Sequence, residues 1–585
     1  MKNLLNKLVI IAVAFFCGVS VVACGNNGNQ DGKELEYDIG NGNTQITIPA
    51  VPDTNIGGGT GLPQVDESTL SGNYDTSDAT AIITLGGNTA TFTGSNVTIT
   101  TDKSYSAVSA TDADDDGKLD STGATVTYGT VIEITKSGTY VLQGTLDNGF
   151  VAVSKKEIEV TLVLNGVNIY SPQYSGISCL KKSPVTITLA TGSINYVTDG
   201  ASYTLGYDDE EAANGAICIR KDLIINGDGK LIVNGNYNNG IGSKANLTIS
   251  NGEIQVRAKN NALKGNDSIT ISGGKFVLNS ASDGIKTDDE SDDSRIITIS
   301  NAEINIVSVN DAFQTTTDLI INSGTIKAKT GGGSAISAGA DSAKGLKAGN
   351  SIIINGGDID IDSNDDSIHS NGTITIVGGN LVLASADDGI HADTNITISG
   401  GEIEISKSYE GIESTNINLD GGTVRLNSTD DGINISGGKD SSATITRPGQ
   451  GGRNQGGMHG GETVINGTLT ITNGNYLINA EGDGLDSNGN IVMSGGTMLV
   501  YGPAKGGNEP VDFNGTFTLS GGNLFAFGVG TLSQKSISSS IKGFTASVTM
   551  NVNTNFAILD NSSNTIFAFK LLKSTKTMLI VSPTF

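Results

Sequence analysis

The stretch SADDGIHAD, residues 385–393, sets two carboxylates before a Gly-Ile step and an imidazole directly after it. Variants of the phrase recur as NSASDGIKTDD around Ile285, SNDDSIHSN around Ile368, SKSYEGIES around Ile412, NSTDDGINI around Ile433 and AEGDGLDSN around Leu485. Its apolar residue falls at Ile241, Leu263, Ile285, Phe313, Leu346, Ile368, Ile390, Ile412 and Ile433, and most of these intervals are 22 residues. Within a unit the apolar positions advance by two, five, two and seven, as in Ile374, Ile376, Leu381, Leu383, Ile390 and again in Ile396, Ile398, Ile403, Ile405, Ile412. Steps of two are strand alternation with one face inward, and the longer steps fall on Gly-Gly and Asp-Gly turns. The fold class that follows is all-β: a parallel β-helix with three short strands per coil of about 22 residues, its stacked coils burying a continuous Ile/Leu/Val column. A leucine-rich repeat has a similar period, but Gly-Gly stands where that repeat needs its Asn ladder and outer helix.

The rest of the chain divides around this array. Residues 1–23 carry a basic start (Lys2, Lys7), an apolar run and Val21-Val22-Ala23-Cys24, the pattern of a bacterial lipobox, so a secretory signal is expected to be cut before Cys24 and lipid attached to its thiol. A transmembrane helix is disfavoured by the short run and the lack of a charged stop-transfer cluster. Residues 24–75, rich in Gly, Asn, Asp and Pro, read as a flexible linker. An N-terminal β segment is expected over 76–136, the β-helix over 137–530 and a C-terminal β cap over 531–585, because an open solenoid end exposes strand edges and its apolar column. Two coils are lengthened, by TGGGSAISAGADSA and by GGKDSSATITRPGQGGRNQGGMHGGE. Cys179 and Cys218 sit where they could meet across neighbouring repeats, as a disulfide or as stacked thiols.

Thirty-five Lys and Arg against 61 Asp and Glu give a net charge of -26, which excludes nucleic acid as a partner and repels acidic polysaccharide unless a divalent cation inverts the local sign. The acids are ordered. Two residues before each apolar marker stand Asp283, Asp311, Lys344, Asp366, Asp388, Glu410, Asp431 and Asp483, and Asp365, Asp387 and Asp430 double the charge. Carboxylates about 5 Å apart on adjacent coils would repel by roughly 3 kcal/mol at an effective dielectric of 20. Exposure of an Asp-Gly turn to water is one offset; bound Ca²⁺, which takes six to eight oxygens, is the other. The Ca²⁺ candidates are Asp283, Asp288 and Asp311 in one group and Asp365, Asp366, Asp387, Asp388 and Asp393 in another. A separate loop, TDADDDGKLD, places Asp112, Asp114, Asp116 and Asp120 at the first, third, fifth and ninth positions of an EF-hand-type loop, with Gly123 where the bidentate Glu would be. It is a Ca²⁺ loop in a non-EF-hand setting or an acidic surface turn.

One residue after each apolar marker runs a second column: Lys264, Lys286, Gln314, Lys347, His369, His391, Glu413, Asn434 and Asp486. Alternation points it outward beside the acids. Its Lys and His members either neutralise the Asp column or line a groove, where Lys264, Lys286, Lys347, His369 and His391 would contact sugar carboxylates and hydroxyls.

The segments GTYVLQGTLDNGFVAV, VTLVLNGVNI and VTITLATGSINYVTDG, followed by the SGG and DDGIHAD coils and a TMLIVSP terminus, resemble a bacterial carbohydrate-binding-domain lipoprotein family whose right-handed β-helix is similar to that of family 9 polysaccharide lyases. The resemblance spans residues 130 to 585. It implies a monomeric extracellular β-helix that binds Ca²⁺ and a plant-type polysaccharide, galacturonan or a cellulose-like chain. With no Trp and 5 % aromatic residues to stack on pyranose rings, the composition suits an acidic sugar bridged through Ca²⁺ and held by Lys better than crystalline cellulose. The lyases use a Lys base beside Asp-bound Ca²⁺ for β-elimination; Lys286, between Asp283 and Asp288, is the nearest match for that catalytic role. Because the position after the marker changes from coil to coil, binding without catalysis is the favoured reading, with lyase activity or a surface adhesin as alternatives.

Overall fold

The computed structural model describes residues 9–11, 20–24, 67–109, 120–206, 211–287, 295–338, 342–436, 464–530, 537–560 and 562–585. Among these residues the chain is β throughout apart from a 3-10 turn at Glu67–Thr69, and no helix is long and apolar enough to cross a membrane. Two compact units are present, one of Ile46–Gly332 with Asp341–Ser363 and one of Asn364–Phe585 with Met1–Gln45 and Gly333–Ala340.

In the first unit parallel strands repeat in three files, in the manner of a β-helix. Leu223–Gly227, Asn246–Ile249, Ser268–Ile271, Ile296–Ile299, Asp318–Ile321 and Ser351–Ile354 form one. Lys230–Gly235, Glu253–Ala258, Lys275–Ser280, Ala302–Ser308, Gly324–Thr330 and Asp358–Ser363 form the second. The third holds the short strands Asn239–Ser243, Leu263–Gly265, Ile285–Lys286, Phe313–Thr315 and Leu346–Ala348, whose marker residues stand in direct register. All five markers are fully buried, which is the inward column that the spacing demanded. The strand Ala81–Gly87 pairs parallel with Gly138–Leu146 and antiparallel with Ala90–Gly94 ahead of the coils. Ordered packing begins before residue 76: Leu70 is buried, its carbonyl accepts the N–H of Ile194, and Gly72 donates to Asn165. The linker expected to residue 75 therefore ends earlier, because one apolar side chain in that polar stretch finds a buried position.

Cys179 and Cys218 do not meet as a pair. Ser178 is the residue opposite Cys218, so alternation sends the two thiols to opposite faces of their strands, and both are free and buried. Burial pushes the Cys179 thiol up to about 12.

In the second unit Ile368–Ser370, Ile390–Ile398, Ile412–Leu419, Ile433–Ile435 and Leu485–Ser487 continue the marker pattern in parallel register. The unit ends where Thr575–Val581 runs antiparallel to both Phe517–Gly528 and Gly543–Met550, over a cluster including Tyr501, Phe525, Phe527, Phe556 and Phe569. Ser20–Cys24 lies antiparallel to Asn555–Leu559. The Gly-rich insertion after Ile435 lies outside the described residues.

The glycine of the repeated phrase has a steric cause. A Cβ on Gly389 would stand 2.6 Å from the carbonyl oxygen of Gly411 and 2.8 Å from Ile405 Cγ2; on Gly284 it would stand 2.6 Å from Ala312 O and 2.7 Å from Ile306 Cγ2. Coils stack this closely at Gly284 and Gly389 because no side chain is present there, while Ala262, Ala312 and Ser367 hold the same position, buried, on other coils.

Candidate functional site

The acid column is built into the corner as backbone support. The N–H groups of Gly389 and Ile390 reach forward to the carbonyls of Glu410 and Gly411 on the next coil. That of Asp388 reaches back instead and is accepted by Asp366 Oδ1 at 3.0 Å, while Asp388 Oδ1 accepts the N–H of Glu410 at 3.2 Å. The same rung joins Asp283 Oδ1 to the N–H of Asp311 at 3.1 Å, Asp311 Oδ1 to that of Lys344 at 2.8 Å and Asp431 Oδ1 to that of Asp483 at 2.6 Å. Asn239 and Asn261 begin the series with equivalent bonds. A buried N–H left without a partner would cost about 1–3 kcal/mol, so each rung is a structural requirement. The exposed-turn reading is corrected accordingly: Asp283, Asp311, Asp366, Asp387 and Asp388 are all buried.

The other carboxylate oxygen faces the second column. In the first unit Lys286 Nζ lies 2.9 Å from Asp283 Oδ2 and Lys347 Nζ lies 3.3 Å from Asp311 Oδ2. Lys264, Lys286, Gln314 and Lys347 stand in register as a half-buried stripe. Burial, then the neighbouring Asp311 charge, push the Asp283 carboxyl above its usual range. Asp288, the proposed partner of Lys286, lies outside the described residues, as do Asp112, Asp114 and Asp116. Asp120 is half-buried, and its carbonyl accepts the N–H of Ser109.

In the second unit the column is more enclosed than alternation predicted. His369 and His391 retain only 4 % and 3 % of their surface, because the carboxylate three residues earlier folds over each ring. His369 Nδ1 lies 2.8 Å from Asp366 Oδ2, and His391 Nδ1 lies 3.2 Å from Asp388 Oδ2 and 3.3 Å from Glu413 Oε2. Burial opposes a charged His391 ring, but the Asp388 and Glu413 bonds outweigh it and push the ring up to about 12. Burial and adjacent carboxylates hold Asp388 and Glu410 well above the usual carboxylate range. Burial also raises Glu413, yet its bond to His391 wins and leaves it below.

Two all-carboxylate groups bring their oxygens within 4.8 Å of one another: Asp365, Asp366 and Asp387, and Asp431, Asp483 and Asp486. The first unites three members of the expected Ca²⁺ set. Asp388 and Asp393 instead flank His391. The second group sequence reasoning placed in the columns without assigning it a metal; burial and mutual repulsion push Asp431 up to about 8 and Asp483 up to about 7. Such hard-oxygen sets fit Ca²⁺.

Parallel strands stacked in register, with a charged face along one corner, define a repeat scaffold that presents a polar surface. A family model described as "Carbohydrate-binding domain-containing protein" matches residues 128–389 and 385–432, together just over half the chain and ending just before Ile433, and the chain belongs to this family. A carbohydrate-binding domain-containing protein from Acetivibrio thermocellus is 40 % identical over 128 residues, 22 % of this chain and 45 % of that protein, so the match spans under half the relative's length. A solved structure described as a polysaccharide lyase-like protein from C. thermocellum, gadolinium derivative, shares 31 % identity over 43 % of this chain and 92 % of that one, with a TM-score of 0.36.

Proposed function

We propose that this protein is a lipid-anchored surface protein that binds an acidic, galacturonate-like polysaccharide along the corner face of a right-handed β-helix, with Ca²⁺ as its cofactor. The observation that carries the reading is that the family match covers the two charged columns from Lys264 to Asp431. Asp365, Asp366 and Asp387 would hold Ca²⁺, and Asp431, Asp483 and Asp486 offer a second oxygen set. Bound there, Ca²⁺ supplies the positive charge that a uronate chain needs on a surface this acidic. In the first unit Lys264, Lys286 and Lys347 form a half-buried stripe of their own, the ammonium groups of Lys286 and Lys347 resting on Asp283 and Asp311, from which a sugar carboxylate would draw them. Lipid on Cys24 would keep the protein outside the cytoplasm, at the membrane surface.

The test is calorimetric titration of the Cys24→Ser chain with oligogalacturonate, with and without EDTA, while ultraviolet absorbance reports any unsaturated uronate product. Binding heat that EDTA abolishes, without product, is expected. Product formation that Lys286→Ala removes would make the protein a lyase, and no heat in either condition would overturn the acidic-sugar reading in favour of an adhesin.

A further inference from the structure

We propose that residues 333–337 are a strap closed over the Asp365, Asp366 and Asp387 group, where it slows the entry and release of an ion. The proposal rests on the Ca²⁺ reading of that group and adds how the site is guarded.

The segment belongs to an insertion that lengthens one coil. It leaves the strand Gly324–Thr330 through Gly331, Gly332 and Gly333, whose φ angles of 58°, 86° and 87° lie in the left-handed region that glycine adopts freely. From Gly333 it packs with the unit of Asn364–Phe585, where Gly333 and Ser334 are buried. Two side chains pin it. Asn364 Nδ2 donates to the carbonyls of Ile336 at 2.9 Å and Ser337 at 3.2 Å, and Lys407 Nζ donates to that of Ser334. The markers Ile368, Ile390 and Ile412 stack in register, so Asn364 and Lys407 belong to the coils on either side of the one that bears Asp387. A segment tied to both crosses the corner between them, where Asp365, Asp366 and Asp387 bring their oxygens together.

The Lys407 anchor departs from the repeat. Five residues before their markers the unit's other coils carry Ser385, Ser428 and Ala480, all buried. Lys407 holds the same place but is exposed, on a strand whose register shifts at a β-bulge opposite Leu383 and Ala384, and a bulge re-aims side chains in this way. Burial follows the path of the strap. Four residues before the marker Asn364 and Ser408 are buried, whereas Thr429, one coil further on, is exposed. At the next position Asp387 is buried and Asp430 is only half-buried. What holds the strap is polar. Ala335, Ile336 and Ser337 are exposed and bury no apolar surface, so the segment opens when its few hydrogen bonds give way.

The experiment is stopped-flow removal of Ca²⁺ from the loaded full chain by a fluorescent chelator. Two phases are expected: a slow one from the strapped group, missing in an Asp365→Asn, Asp387→Asn chain, and a fast one from Asp431, Asp483 and Asp486. Lys407→Ser and Asn364→Ala install residues that neighbouring coils carry at the same places, Ser385 and Ala386, so the coils should still fold. Each should speed the slow phase by about tenfold, the factor that one hydrogen bond of this kind is worth, and leave the fast phase alone. Amide hydrogen exchange at 333–337 should quicken in the same variants. Ca²⁺ uptake with release rates that neither variant changes overturns the strap. No Ca²⁺ uptake by the wild-type chain overturns the Ca²⁺ reading and the guard with it, a failure told apart from an unpinned strap by hydrogen exchange at 333–337 that still responds to Lys407→Ser.

Discussion

Asp199 makes the stability of the first unit depend on pH in a direction opposite to most carboxylates. It ends the strand Ile194–Asp199 and is fully buried. The Tyr203 hydroxyl lies 2.5 Å from its Oδ2 and 2.9 Å from the carbonyl of Gly215. That hydroxyl has one proton and faces two acceptors. If Asp199 is protonated the conflict disappears: the carboxyl donates to Tyr203 Oη, which donates to Gly215. Burial pushes the carboxyl up to about 7 from 3.8, against the lowering effect of the Tyr203 and Asn236 bonds. The folded pKa exceeds the unfolded one, so the folded state retains a proton that the unfolded chain releases. The resulting stabilisation is fully present below about pH 4 and is lost as pH rises to about 7, a total of about 4 kcal/mol at about 1.4 kcal/mol per unit. Asp199→Asn keeps the shape and always carries a donor, so it should remove this slope. Urea unfolding of both chains, at fixed saturating Ca²⁺ and followed through the tyrosine signal since the chain has no Trp, isolates the effect. Relative to wild type, the variant should gain roughly 3–4 kcal/mol between about pH 4 and about pH 8. A difference that stays flat with pH, or that runs the other way, refutes the protonated-carboxyl reasoning.

Gly389→Ala should destabilise the second unit by about 1–3 kcal/mol through overpacking against Gly411 and Ile405; a melting temperature equal to wild type would show that the coils do not approach as closely as described. EDTA should lower the melting temperature of the wild type more than that of an Asp365→Asn, Asp387→Asn chain, since an ion at a hundred times its Kd stabilises by about 2.7 kcal/mol, and equal responses would remove Ca²⁺ from that group. Cys179 and Cys218 should resist a thiol reagent in the native state and both react after denaturation without reductant; a reductant-dependent signal would reveal a disulfide that the strand register forbids.

The strand files were legible because an inward position tolerates little besides an apolar side chain, so Ile374, Ile376, Leu381, Leu383 and Ile390 report the coil geometry directly. The acid column was visible as a column, but its duty was not. Charge counting registers Asp366 and Asp388 as a repulsive pair and cannot see that the N–H of Asp388 points back along the stack and needs an acceptor. Burial of the second column was missed for a related reason. Alternation tells which side of a strand His391 occupies; it does not tell that the carboxylate three residues earlier closes over the ring. The pairing of Cys179 with Cys218 failed on register alone, since an offset of one residue between parallel strands reverses the face.

Within the repeated phrase each position answers a different physical demand, and that division locates the chemistry. The acid or amide before the glycine must accept an N–H at the corner, so it varies little beyond Asn, Asp and Glu, and Lys344, which donates its own N–H to Asp311, is the departure. The next position must be small to admit the next coil, glycine at 284 and 389 and Ala or Ser at 262, 312 and 367, and the following Ile, Leu or Phe must fill the interior. The residue after it carries none of these duties. Along the chain it changes from Lys to Gln, His, Glu, Asn and Asp while the coil around it stays the same. A repeat scaffold is free to differentiate only where stacking makes no demand. This column is where one coil can carry an ammonium, another an imidazole and a third a carboxylate without disturbing the stack.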